Sequence, residues 1–125
     1  MGRTVLVVED DDSLQEVLEM ALESEGYHVV ASRDGLEALD QLDRRLPALI
    51  LLDLKMPRMD GPAFADVLQA RGLRPAVPLL VLTGDSRARA ASARLGAEGY
   101  LPKPFDLLDL LDEVARLAGC PGPHD

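Results

Sequence analysis

The chain has 125 residues, 47% of them hydrophobic, and carries 22 acids against 13 bases for a net charge of −9. That length supports one domain with a packed core and is too short for two. The acidic balance disfavours unselective nucleic-acid binding, which needs a basic surface, and no apolar run is long enough to span a membrane.

Short apolar runs alternate with helical stretches. Thr4–Val8 is nearly continuous in apolar residues, as expected of a strand buried on both faces. Leu14, Val17, Leu18, Ala21 and Leu22 then follow helical spacing, with Asp11 or Asp12 as the cap and Gly26 as the stop. Tyr27–Ala31 reads as a second strand. Asp34 caps a predicted helix carrying Leu36, Leu39, Leu42 and Leu46 and ended by Pro47. Ala48–Leu52 is the third strand, and Lys55–Gly61 is a loop whose end places Pro62 in the first turn of the next helix. Leu79–Leu82 is the fourth strand. Asp85 or Ser86 caps an Arg/Ala-rich fourth helix that ends near Gly96. Gly99–Leu101 is a short fifth strand, and Asp106 caps a fifth helix bearing Leu107, Leu108, Leu111, Val114 and Ala115, stopped by Gly119. Pro121-Gly122-Pro123 forbids its continuation.

Five β-α units imply an α/β fold, a parallel sheet with helices on both faces. In such sheets ligands collect at the carboxyl ends of the strands. Glu9 and Asp10 close strand one, within the acidic run Glu9-Asp10-Asp11-Asp12. Asp53 closes strand three, Thr83 closes strand four, and Lys103 follows strand five. Carboxylates at the ends of buried strands repel each other and resist desolvation, so several there read most simply as a cation site. The set suggests acids for a hard metal, one acid as an acceptor, and a lysine for a phosphoryl group. Asp11 and Asp12 are explained more simply, as negative charge attracted to a helix N-terminus.

Other chemistries fit poorly. Cys120 is the single cysteine, so no internal disulfide forms, and His28 and His124 are the only histidines, so no Cys/His zinc cluster exists. There is no G-x-G-x-x-G and no G-x-x-x-x-G-K-[ST]. A metal-dependent phosphohydrolase of the haloacid-dehalogenase type carries a second Asp two residues after the first, and this chain has Lys55 there. The chain enters a strand almost at once, so no signal peptide is expected, and a reducing cytoplasmic setting fits the cysteine usage.

Four segments together carry a resemblance: Val7-Val8-Glu9-Asp10, Leu51-Leu52-Asp53-Leu54-Lys55-Met56-Pro57-Arg58-Met59-Asp60-Gly61, Val81-Leu82-Thr83-Gly84, and Gly99-Tyr100-Leu101-Pro102-Lys103-Pro104-Phe105. In this order the chain resembles the receiver domain of two-component response regulators from Val5 to about Ala118. The resemblance implies a doubly wound, flavodoxin-like sheet of order 2-1-3-4-5. It makes Asp53 the phosphoacceptor. Mg²⁺ would be held by Glu9, Asp10, Asp53 and the backbone carbonyl of Lys55, with Asp10 ligating directly and Glu9 partly through water. Lys103 would contact the phosphoryl oxygens, aimed inward by a cis Lys103–Pro104 bond. Thr83 would bond the phosphoryl group, and Tyr100 would turn inward as the switch. Lys55 and Asp85 take the two rim positions that flank the path of an attacking water.

The expectation is therefore a receiver domain over residues 1–119, with 120–125 a tail or linker stub. It accepts a phosphoryl group from the phosphohistidine of a histidine kinase or phosphotransfer protein. It then switches the surface of the fourth helix, fifth strand and fifth helix to control a protein target or an attached output domain. It is expected to be a switch with self-phosphotransfer and autodephosphorylation chemistry, not an enzyme. The alternative is a phosphorylation-independent interaction module on the same fold. Arg87, Arg89 and Arg94 face Asp106, Asp109, Asp112 and Glu113 in charge sign. Two readings of that contrast stand side by side, a phosphorylation-dependent isologous homodimer and solvated helix faces.

Overall fold

The apolar runs become five parallel strands. They are β1 (Thr4–Val8), β2 (His28–Ser32), β3 (Leu49–Asp53), β4 (Leu79–Thr83) and β5 (Gly99–Pro102), in the order β2-β1-β3-β4-β5. The computed structural model describes residues 3–53, 61–73, 76–84, 93 and 96–119. Four helices lie among them: α1 (Asp12–Ser24), α2 (Gly35–Arg44), α3 (Gly61–Ala70) and the C-terminal α4 (Leu107–Ala118), the fifth helix of the sequence reading. The helix predicted from Asp85 or Ser86 lies outside the described residues except at positions 93 and 96.

Alternation along the strands sorts the side chains into two cores. Val5 and Val7, Leu49 and Leu51, and Leu80 and Leu82 meet Leu18 and Leu22 of α1 and Leu110, Val114 and Ala118 of α4. Leu6 and Val8, Ile50 and Leu52, and Leu79 and Val81 meet Ala38, Leu39 and Leu42 of α2 and Phe64 and Leu68 of α3. The central strands β3 and β4 are buried along their whole length. A buried Leu contributes about 1.5–3 kcal/mol, so these runs hold the sheet.

The helices start where short acids satisfy their free N–H groups. Asp11 accepts from the Ser13 and Leu14 N–H groups, Asp34 from that of Glu37, and Asp106 from that of Leu108. Gly119, with φ of 81°, closes α4, and its carbonyl accepts from the Tyr27 hydroxyl at 2.9 Å.

Several boundaries differ from the sequence reading. Tyr27 precedes β2 and is spent on packing and on that hydrogen bond. Strand β3 runs one residue further than expected and includes Asp53. Helix α2 ends at Arg44, because Arg45 is already extended at φ −160°, ψ 135°. Leu46 is therefore outside the helix and 55% exposed, and Leu36 is 44% exposed. The α2 stripe is carried by Ala38, Leu39 and Leu42. The residue before a proline is biased away from helical angles, and here the chain leaves the helix earlier still.

Candidate functional site

The order β2-β1-β3 brings the ends of β1 and β3 side by side, with Val8 paired to Leu52. Asp53 then lies opposite Leu82, and Thr83 opposite Pro102. The ends of four strands thus converge on one edge, and the turn after β5 lifts Lys103 over it. The Lys103 N–H donates to the Thr83 carbonyl at 2.7 Å, and the Lys103–Pro104 peptide is cis.

Glu9, Asp10 and Asp53 bring carboxylate oxygens within 4.8 Å of one another. Glu9 and Asp53 are 1% and 6% exposed, whereas Asp10 is open to solvent. The Lys103 ammonium sits between the two buried acids, 3.1 Å from Glu9 Oε1 and 3.5 Å from Asp53 Oδ2. The other Glu9 oxygen accepts from the Asp11 N–H at 3.1 Å.

Charge is not balanced in this arrangement. With all three carboxylates ionised, the single Lys103 ammonium offsets only one of their charges. Burial pushes the Glu9 carboxyl up to about 7, helped by the charge of Asp53, while the Asp11 N–H and Lys103 pull the other way. Partial burial works against the Lys103 charge, but the Asp53 and Glu9 carboxylates outweigh it and raise its pKa. A divalent cation would relieve the same strain, and a hard ion takes oxygen ligands and retains water. The donor set fits Mg²⁺.

Thr83 is 3% exposed, at the end of β4. Tyr100 is half-buried on β5 opposite Val81 and packs against the core beneath α2 and α3. The structure thus brings Glu9, Asp10, Asp53, Thr83 and Lys103 to one edge, with Tyr100 on the neighbouring strand. Lys55 and Asp85, and with them the Lys55 carbonyl, lie outside the described residues. Asp11 caps α1, and Asp12 pairs with Arg33 on the surface.

Sequence reasoning missed Gln15. Its side-chain amide donates to the carbonyls of Glu9 and Ser32, at 3.2 and 3.0 Å. A polar residue in the first turn of an amphipathic helix reads as solvent-facing, and only the tertiary fold brings it over two strand ends.

Comparison with known proteins places a sheet of this order, with acids and a lysine at its carboxyl edge, among the receiver domains of signalling proteins. The sequence matches the response regulator receiver domain family over residues 5–115, and the chain belongs to that family. Among curated relatives, the response regulator MprA of Mycobacterium tuberculosis is 41% identical over 127 aligned residues, covering 100% of this chain and 54% of that protein. MprA of Mycobacterium avium is 41% identical over 123, covering 97% of this chain and 53% of its own length. The chain thus spans about half the length of these relatives. Among solved structures, a response regulator from Chloroflexus aurantiacus superposes with a TM-score of 0.88 at 35% identity, covering 94% of this chain and 98% of that one. The receiver domain of a sensor histidine kinase from Pseudomonas aeruginosa has a TM-score of 0.84 at 32% identity, covering 95% and 99%. That structure holds a magnesium ion coordinated in its active-site cleft. No described helix of this chain is long and apolar enough to cross a membrane.

Proposed function

We propose that this receiver domain takes a phosphoryl group from a phosphohistidine onto Asp53 and relays the change through its fifth strand and flanking helices. The observation that carries this is the Lys103 ammonium placed between two buried carboxylates at the ends of neighbouring strands. An acid held there has a cationic partner that can turn to a phosphoryl oxygen.

Mg²⁺, held by Glu9, Asp10, Asp53 and the Lys55 carbonyl, would screen the repulsion between the acceptor and the incoming phosphoryl group. An Asp53 carboxylate oxygen attacks the phosphorus in line. The P–N bond breaks and the donor imidazole leaves. Lys103 exchanges its contact with Asp53 for the phosphoryl oxygens, as a compact point charge. The Thr83 hydroxyl donates to the same group. That movement frees the space into which Tyr100 turns. Water later cleaves the acyl phosphate, returning the carboxylate and inorganic phosphate.

The modification adds about −1.5 to −2 charge, enough to bias a two-state surface. On this reading the domain is a switch with no diffusible product of its own beyond the phosphate it sheds. Its partners are a cytoplasmic histidine kinase or phosphotransfer protein upstream and a protein target or attached output domain downstream. Support comes from the family, the convergent acids and the half-buried Tyr100 beside β4. Incubation with acetyl phosphate and Mg²⁺ tests the proposal. Stoichiometric, slowly decaying label is expected. No label would indicate an interaction module that works without phosphorylation, and sustained turnover would indicate a phosphohydrolase.

A further inference from the structure

Gln15 stands in the first turn of α1 and reaches back over the sheet. Its amide nitrogen donates to the Glu9 carbonyl at 3.2 Å and the Ser32 carbonyl at 3.0 Å. The Ser32 carbonyl also accepts the Glu9 N–H at 3.0 Å. Both side-chain acceptors are carbonyls, so only the NH₂ end of the amide can face them, and its two hydrogens match the two acceptors. Gln15 therefore ties the end of β1 to the end of β2 at the point where the chain leaves the sheet for α1.

The Glu9 carbonyl belongs to the peptide unit that ends at the Asp10 nitrogen. Peptide planarity means that fixing the carbonyl direction fixes the plane from which Asp10 departs. The other two acids have anchors of their own. The Glu9 carboxylate is held by Lys103 and the Asp11 N–H, and Asp53 closes a fully buried strand. Asp10 is exposed, and its carboxylate has no partner among the described residues. Its placement depends on the backbone that carries it.

We propose that Gln15 is a positioning residue for the cation site, acting through the Glu9–Asp10 peptide to hold the Asp10 carboxylate where a divalent ion needs it. This rests on the reading of Glu9, Asp10 and Asp53 as the Mg²⁺ ligands. Gln15 touches neither the ion nor the phosphoryl group.

The test is Mg²⁺ titration by calorimetry on the intact chain, comparing wild type with Gln15→Met, Gln15→Glu and Gln15→Arg. Thermal unfolding in Mg²⁺-free buffer accompanies each. Met is similar in size, uncharged and without N–H donors. Glu also lacks the donors but adds negative charge near the site. Arg keeps the donors and adds positive charge. Positioning predicts affinity about tenfold weaker for Met and for Glu, the low end of what groups orienting metal ligands contribute, with Arg restoring most of it. Charge alone predicts the opposite order, Glu tighter than wild type, Met unchanged and Arg weaker. A purely structural role predicts lower melting temperatures with unchanged affinity in the folded variants. Either of those two patterns overturns the inference while leaving the cation site standing. A wild-type chain that binds no Mg²⁺ overturns the site itself and the inference with it.

Discussion

The interior of the sheet and its carboxyl edge are built from the same strands on opposite terms. Leu49 through Leu52 are fully buried apolar residues, with no polar side chain to satisfy. One residue further, Asp53 is buried beside Glu9 and compensated only in part by Lys103. The interior is arranged for burial, and the edge holds charges that burial and mutual repulsion disfavour. Such a site persists because the interior holds it in place. Mutations in the interior should change stability at every pH and Mg²⁺ concentration alike, whereas mutations at the edge should change how stability and chemistry respond to protons and cations.

The largest effect belongs to the interior. Leu51→Ala removes a fully buried side chain and should cost about 2–5 kcal/mol in urea unfolding, with or without Mg²⁺. A loss confined to Mg²⁺-free buffer would erase the distinction between the two regions.

At the edge, Glu9→Gln should flatten the pH dependence of stability in Mg²⁺-free buffer. The folded-state pKa of Glu9 is raised from 4.5 to about 7. Its stabilising contribution is therefore complete below about 4.5 and lost as pH rises through about 7, on the order of 3 kcal/mol. Unfolding midpoints between pH 4.5 and 8, with chelator present, should fall for wild type and much less for the variant. Parallel curves would mean that Glu9 carries no such shift.

The rim predicts a kinetic effect of smaller size. Lys55 lies two residues past Asp53 and Asp85 two past Thr83, and β3 pairs with β4 to its own last residue, Asp53 opposite Leu82. Opposite charges reaching across that rim would cover the acyl phosphate, although the sequence also offers Asp85 as a helix cap, a use that would compete. Phosphorylated Lys55→Ala should decay about tenfold faster than wild type through lost steric cover, since an exposed ion pair itself contributes roughly 0–1 kcal/mol. Non-additivity with Asp85→Ala would identify the pair, and decay at or below the wild-type rate removes the shielding idea.

Ser32 sharpens the comparison from another side. It ends β2 on the same edge, and its buried hydroxyl has no hydrogen-bond partner among the described residues. Ser32→Ala should raise stability by about 1 kcal/mol in the same urea assay. A fall instead would show that the hydroxyl has a partner in solution.

The interior was legible in the sequence because continuous apolar runs have few alternatives to a buried parallel strand, and the alternation with helices fixed the layers. The acids and Lys103 were legible because charged residues directly after such runs are costly without a ligand. Boundaries were less so. Leu46 looked like part of a helical stripe because spacing cannot show where the chain turns extended. Tyr27 looked like a strand residue because its partner, Gly119, is 92 positions away. Gln15 was hidden for a similar reason, since its meaning lies in two carbonyls brought together by the fold.

The most direct test of the central claim is where the phosphoryl group goes. Intact mass after acetyl phosphate and Mg²⁺ treatment should rise by one phosphoryl group in the wild-type chain and remain unchanged in Asp53→Asn. An Asp53→Asn protein that still gains that mass would contradict the account, because the acceptor would then lie elsewhere than at the end of β3.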